Sequence, residues 1–256
     1  MNLLQSNVLI TGGSNGIGKS LAQRFIASGS RVIITGRNKE KLKNAAREIP
    51  NLETYVNDIG NPDEREKLAT YIKDNMPDIN VIINNAGIQR RIELAADTAS
   101  WAERQAEIDI LLSAPIHLNH LLIPTLLSHG QPSLIVNVTS GGAFIPQTFA
   151  PVYSACKAAL HSYTVTLRHS LTDTMCRVAE LIPPAVQTGL AGGNTSHGVP
   201  LEAFADVAFD KLTTDNILEV GYGPTENISI EISGKPLSEL FKTGSQRFTI
   251  KTYHDK

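Results

Sequence analysis

The segment Thr11-Gly12-Gly13-Ser14-Asn15-Gly16-Ile17-Gly18 constrains this chain more than any other. It stands between a short apolar run, Asn7–Thr11, and a helical stretch, Gly16–Ser28. Gly12 permits a tight turn, Gly16 lets the backbone approach an anion such as a pyrophosphate, and Gly18 lets the helix pack close to the strand. Exposed N–H groups at the helix start, with its dipole, favour that anion. Asn15 and Ile17 fill the turn between these glycines. A glycine pattern alone says little; the strand before it and the helix after it give it meaning.

The rest of the chain repeats that alternation. Strands are predicted at Asn7–Thr11, Arg31–Thr35, Glu53–Asn57, Ile79–Asn84, Ser133–Thr139 and Arg177–Ile182, with a seventh at Ile217–Val220. Helices are predicted at Gly16–Ser28, Lys39–Ile49, Pro62–Asn75, Ser100–His129 and Val152–Thr174, and a short one at Leu237–Phe241. Such alternation argues an α/β fold, a doubly wound parallel sheet flanked by helices. Val-Leu-Ile and Leu-Ile-Val runs suit strands buried on both faces. No linker, repeat or low-complexity tract interrupts the chain, so residues 1–256 are expected to form a single domain. Gly189–Pro200 is rich in glycine and polar residues and is expected to be a flexible loop beside the substrate.

Composition excludes several classes. A formal net charge of −2 gives no broad electrostatic reason to expect nucleic acid or an anionic membrane. The N-terminus reads as a first strand rather than a signal peptide, and no apolar run is expected to span a bilayer. Cys156 and Cys176 supply neither a disulfide framework nor metal-ligand spacing. No histidine spacing suggests a metal. A cytoplasmic setting is the expectation.

Further motifs follow the predicted strands: Asn84-Asn85-Ala86-Gly87, Ser140, Tyr153-x-x-x-Lys157 and Pro183-Pro184-Ala185-Val186-Gln187-Thr188. Together with the Thr-Gly-x-x-x-Gly-x-Gly spacing, they make the chain resemble the short-chain dehydrogenases/reductases over about residues 6–190. Tyr153-Ser-Ala-Cys-Lys157-Ala-Ala-Leu-His161-Ser, Leu167-Arg168-His169 and Pro183-Pro184 resemble the DltE-type branch of bacterial oxidoreductases. The resemblance implies a Rossmann-like fold and hydride transfer with a nicotinamide dinucleotide.

The chemistry of that pattern is coherent. Tyr153 and Lys157 lie four apart on one helix face. An alkoxide formed by hydride addition to a carbonyl needs a proton donor. Tyrosine ordinarily titrates near 10, and a neighbouring ammonium with an oxidised nicotinamide favours the phenolate. Tyr153 is therefore the expected acid/base and Lys157 its electrostatic tuner. By resemblance Lys157 also binds the nicotinamide ribose, and Ser140 holds the substrate oxygen. The resemblance places Asp58 near the adenine, Asn85, Ala86 and Gly87 along the adenosine side, and Pro183, Val186 and Thr188 at the carboxamide. Asn84 would instead stabilise the sheet.

At the end of the second predicted strand the sequence offers Gly36 and Arg37, with Lys41 one turn on, where NAD-preferring relatives carry an acid. Arginine matches a 2′-phosphate in charge and geometry, and Ser14 adds a hydroxyl. NADP(H) is favoured over NAD(H). One departure stands out. Registering on Ala114-Pro115 puts Leu111 where the family usually has an asparagine whose bound water connects the lysine to solvent. Leucine makes no hydrogen bond, so Ser113, Asp109 or a backbone carbonyl would have to serve, or the enzyme is slow or degenerate.

The leading function is thus an NADP(H)-dependent carbonyl reductase or the reverse alcohol dehydrogenase. A catalytically degenerate nucleotide sensor or scaffold is the alternative. An epimerase or dehydratase of the longer related family is a third, disfavoured by the short stretch after Pro183. Gly141, Phe144, Gln147 and the 189–200 loop are expected to line the substrate pocket, with Gln89 and Arg90 adding polarity. A homodimer or homotetramer through the two long helices is the expected assembly, and a small carbonyl or alcohol compound the expected partner.

Overall fold

Val8, Leu9 and Ile10 are apolar in succession, so a strand made of them must be covered on both faces. The computed structural model, which describes residues 3–191, 197–213 and 217–248, shows this arrangement. Val8 and Ile10 join one buried cluster and Leu9 the other. The same alternation recurs in Val32, Ile33 and Ile34, and again in Val81, Ile82 and Ile83.

Strands β1 (Asn7–Thr11), β2 (Arg31–Gly36), β3 (Glu53–Val56), β4 (Val81–Asn84), β5 (Ser133–Val138), β6 (Cys176–Ile182) and β7 (Glu219–Gly221) form one sheet in the order β3-β2-β1-β4-β5-β6-β7. Every pairing is parallel. The strand order reverses between β1 and β4. In open α/β sheets that reversal opens a crevice beyond the strand C-termini, where ligands bind. The expected doubly wound fold is the one found.

One face is covered by α1 (Gly16–Ala27) and α2 (Lys39–Glu48), the other by α3 (Pro62–Asn75). Leu21, Phe25 and Leu42 pack on the first face, Leu68 and Ile72 on the second. The caps follow from the sequence: Asn38 accepts from the Lys41 amide, and Asn61 from Asp63 and Glu64 ahead of Pro62, satisfying otherwise orphaned helix-start donors.

The predicted single helix over Ser100–His129 is three pieces. α4 (Trp101–Ile108), opened by a Ser100/Glu103 capping box, runs into a wider π-helical turn at Asp109–Ser113 and then α5 (Ala114–Ser128). The wide turn puts Ile110 into the sheet-facing cluster and Leu111 against the following helix, α6 (Pro151–Ser170). By length and composition the 101–128 stretch would suffice to cross a bilayer, contrary to the sequence expectation. Here its Leu118, Leu122 and Leu126 are enclosed in the protein core.

α7 (Leu201–Thr213) was not anticipated. Its Phe204, Ala208 and Leu212 repeat every four residues and pack under the sheet with α1. Arg24 of α1 fastens it through Glu202 (2.9 Å) and Asp206 (2.6 Å). α8 (Ile228–Glu231) and α9 (Leu237–Ser245) complete the described chain; α9 is longer than expected and buries none of its residues. Of the 189–200 loop, residues 192–196 lie outside the described residues. Its far end is tied back, the Val199 amide donating to the Ala185 carbonyl at 2.8 Å.

Candidate active site

At Gly12 and Gly18 the turn leaves no room for a side chain. Gly12 (φ +66°) and Gly16 (φ +53°) adopt left-handed conformations that glycine alone tolerates well. A Cβ on Gly12 would lie 2.7 Å from the Ala86 Cα, and one on Gly18 2.5 Å from the Asn85 Nδ2. The second contact identifies the clamp. Asn85 donates to the carbonyls of Thr11 (2.9 Å) and Gly12 (3.1 Å), and the Thr11 hydroxyl accepts from the amides of Asn85 and Ala86. The two motifs after β1 and β4 are thereby locked together.

They open into a cleft of about 1560 Å³ along the strand C-termini, more than the roughly 300–1,000 Å³ that a drug-sized ligand occupies. Gly12, Ser14, Asn15, Gly16 and Ile17 line it, and so do Ala86, Gly87, Pro183, Val186 and Thr188. Gly18 lies beneath the turn, where it serves close packing. At the far end Arg37, Asn38 and Lys41 share the wall with Ser14, whose Oγ lies 3.5 Å from where a Gly36 Cβ would be. Asp58 does not line the cleft. Its carboxylate accepts from the Gly60 amide at 3.0 Å, and Asn57 and Ile59 form the wall instead.

Ser140, Tyr153 and Lys157 converge on the cleft floor. Ser140 follows β5, and its hydroxyl accepts from the Gly142 amide at 3.1 Å. Tyr153 and Lys157 are neighbouring side chains one turn apart on α6, both buried. Lys157 donates to the Val138 carbonyl at 2.6 Å, and its Nζ sits 5.7 Å from the Tyr153 ring centre. Burial depresses the ammonium to about 8, with Cys156 and Glu180 opposing. Burial raises the Tyr153 phenol; a hydrogen bond with Ser140 lowers it, and the Glu107 field raises it further. Glu107 is itself enclosed on α4, and its carboxyl is pushed up by burial. Cys156 is buried and raised to about 11, chiefly by desolvation, which makes it a packing residue rather than a nucleophile.

Leu111 lies against Tyr153 and Cys156. Beside it a pocket of about 10 Å³ touches Thr11, Asn84 and Lys157, space for roughly one water. Asp109 accepts from Gln105 at 2.9 Å, and Thr11, Asn84 and Lys157 are the polar residues that share the small pocket with Leu111. Asn84 also does what the sequence suggested for the sheet. It donates to Asn119 and Asn137 at 2.9 Å each, and Asn137 donates to Thr164.

The end of the cleft where substrate was expected departs most from the sequence reading. Gly141 and Gln147 line it as foreseen, and Gln89 donates to Gln147 at 3.2 Å. Phe144 is instead buried against His161, and the residue beside the cleft is Arg91 rather than Arg90. The Arg91 guanidinium lies 4.2 Å over the Phe149 ring, and Phe149 meets Phe248 at 4.6 Å. Lys235, Leu240, Thr243 and Arg247 add a wall from the C-terminal segment. The sequence marked that segment only as a short helix at Leu237–Phe241, with no part in the cleft. Among the described residues no group of three His, Cys, Asp or Glu is placed to hold a metal.

Comparison with known proteins agrees with this geometry. The short chain dehydrogenase family model matches residues 6–197. The uncharacterized oxidoreductase DltE of Bacillus subtilis (strain 168) is 41% identical over 218 residues, covering 83% of this chain and 86% of that protein. A short chain dehydrogenase from Burkholderia cenocepacia J2315, solved in complex with NADP, superposes with a TM-score of 0.81 at 22% identity, covering 95% of this chain and 99% of that one. A closed serine dehydrogenase complexed with NADP+ gives 0.77 at 25% identity, covering 86% and 96%. The first of these two structures speaks for the fold alone. The family match spans most of the chain and includes the glycine turn and the Tyr153/Lys157 helix, so the chain belongs to the short-chain dehydrogenase family, on its DltE-like branch.

Proposed function

We propose that this chain is an NADP(H)-dependent oxidoreductase that moves hydride between the dinucleotide and a small carbonyl or alcohol compound. The carrying observation is that Ser140, Tyr153 and Lys157 meet on the floor of the cleft that begins at the glycine turn. When bound, the dinucleotide supplies or accepts the hydride. The turn fits such a group, because its left-handed Gly12 and Gly16 line the cleft at the start of a helix, where backbone N–H groups without a helical partner favour an anion. Gly12, Ser14, Asn15, Gly16 and Ile17 would hold the phosphates. Asn85, Ala86 and Gly87 would flank the adenosine, with Asn57 and Ile59 in the place expected of Asp58. Pro183, Val186 and Thr188 would meet the nicotinamide end, and Tyr153 and Lys157 its ribose.

Burial keeps the Tyr153 phenol protonated at neutral pH, so in the reducing direction it starts with a proton to give to the substrate oxygen. Ser140, hydrogen-bonded to it, offers a second donor where negative charge develops. The Lys157 ammonium, fixed by the Val138 carbonyl, reduces the cost of the phenolate left behind. Arg37, Lys41 and Ser14 gather positive charge and a hydroxyl where a 2′-phosphate would lie, which supports NADP(H) over NAD(H). The closed serine dehydrogenase, described with NADP+ at 25% identity, supports the same choice. A cytoplasmic location and a homo-oligomer through the α4–α5 and α6 helices belong to the same proposal.

A catalytically degenerate nucleotide sensor is the second reading, favoured by the apolar Leu111 against Tyr153. A titration with NADPH and NADH, followed by a panel of aldehydes and ketones, decides. Tighter NADPH binding with turnover is the expected result. Binding without turnover of any panel member would support the sensor, and binding of neither dinucleotide would overturn both readings.

A further inference from the structure

Strand β6 is apolar from Val178 to Ile182 except at Glu180, which is completely enclosed. A buried carboxylate costs several kcal/mol unless it is paired and hydrogen-bonded, and this one is both. Its Oε1 accepts from the Thr139 hydroxyl at 2.6 Å, and its Oε2 lies 2.8 Å from the His161 Nδ1. Each partner adjoins the site already described. Thr139 stands between Val138, whose carbonyl holds Lys157, and Ser140. His161 follows Lys157 by four residues, on the same face of α6. One carboxylate therefore binds the middle of the 138–140 segment and the next turn of the helix carrying Tyr153 and Lys157. The field of Glu180 also reaches Lys157 and favours its charged form.

His161 is the outward end of this unit. Its side chain is 29% exposed, and its ring packs on Phe144 at 4.7 Å. The hydrogen bond to Glu180 raises its proton affinity above the ordinary value, against desolvation. Glu219 on β7 adds to the rise and Arg168 on α6 opposes it; Glu219 is itself held by the Ser229 hydroxyl at 2.8 Å. With His161 protonated the pair is neutral. When His161 loses its proton, the pair carries one negative charge close to Lys157.

We propose that Glu180 is a positioning residue for the Ser140–Tyr153–Lys157 site, holding Thr139 and hence Ser140 in place and supplying the negative charge that keeps Lys157 an ammonium, while His161 is the group through which the pair exchanges a proton with solvent. This rests on the oxidoreductase reading above. It has a direct consequence for pH. Neutralisation of His161 strengthens the hold of Lys157 on its proton, so the charged form of Lys157 survives to higher pH than burial alone would allow.

The test uses the full chain with bound NADP+ and carbon-13 labels at the lysine Cε and histidine Cε1 positions. The Lys157 signal is assigned from the Lys157→Arg variant. In the unmodified protein the Lys157 signal should show an inflection at the pH where His161 titrates. Glu180→Gln should weaken proton binding by Lys157 about tenfold and move the alkaline limb of the turnover profile down by the same amount, with KM for NADPH within about twofold. His161→Asn retains a side-chain N–H for Glu180 but does not titrate; it should keep turnover while abolishing the His161-linked inflection. A Lys157 titration that ignores both His161 and Glu180→Gln, with turnover lowered equally at every pH, would reduce Glu180 to a structural group and overturn the proposal. Should Glu180→Gln fail to fold, the inflection in the unmodified protein decides alone. If no carbonyl compound is turned over, the oxidoreductase reading fails, whereas the Lys157 signal still reports whether the coupling exists.

Discussion

The two ends of the cleft are built from different materials. The end at the glycine turn is made largely of backbone: Gly12 and Gly18 with the Asn85 clamp leave no space for a Cβ, and Gly16 is held in a left-handed conformation. The substrate end is made of side chains from distant segments: Ser140, Tyr153 and Lys157 below, Arg91, Phe149 and Phe248 at the rim. A backbone-built site cannot be altered without disturbing the fold that makes it. A side-chain site can lose a group and keep its frame. On the proposed function, the first end is fixed to a shared ligand shape and the second is free to vary with the substrate.

That contrast can be broken experimentally. The largest effect is expected from Tyr153→Phe, which removes one hydroxyl. Turnover should fall about 10²–10⁴-fold, with NADPH affinity within about twofold and the melting temperature unchanged. Unimpaired turnover would remove Tyr153 from the chemistry. Arg37→Asp should shift the ratio of NADPH to NADH affinity about 10–100-fold toward NADH, because a charged hydrogen bond is exchanged for repulsion. An unmoved ratio in paired titrations would place the 2′-phosphate elsewhere.

Gly12→Ala should weaken NADPH binding at least about tenfold and lower the melting temperature as well. The left-handed backbone alone costs an alanine about 1–2 kcal/mol, and the new methyl would meet Ala86 at 2.7 Å. Normal affinity and stability together would show that the turn can relax, and the contrast between the two ends would weaken. The smallest effect is expected from Leu111→Asn. The pocket beside Leu111 already joins Lys157 to Asn84 and Thr11, so turnover should stay within about twofold. A clear rate increase would show that the relay had been lacking.

The same contrast governs what was legible in the sequence. β1 and α3 appear at their expected bounds, and the glycine turn, Asn85 and the Tyr153/Lys157 pair lie where local spacing placed them. Glycine positions and an i,i+4 pair are local signals, read within one or two turns of chain. Asp58 turns its carboxylate to the Gly60 amide while Asn57 and Ile59 line the cleft, because a resemblance gives a residue's neighbourhood, not the direction of its side chain. The 101–128 helix looked continuous because hydropathy does not register one wider turn. Glu180 went unmarked because, within an apolar strand, nothing local reveals that Thr139 and His161 will enclose it. Arg91 and Phe149 carry no motif, and the helix expected at Leu237–Phe241 gave no sign of reaching the cleft, since a cleft wall needs only shape and charge.

The sequence by itself determined the class of fold, the glycine turn and the neighbouring Tyr153/Lys157 pair, because periodicity, glycine conformation and helix spacing act over a few residues. Only the tertiary structure decided which acid is buried near Lys157, which residues beyond β3 line the cleft and which distant segments wall its other end. Each of those depends on contacts between segments far apart in the chain, and on the desolvation that enclosure imposes.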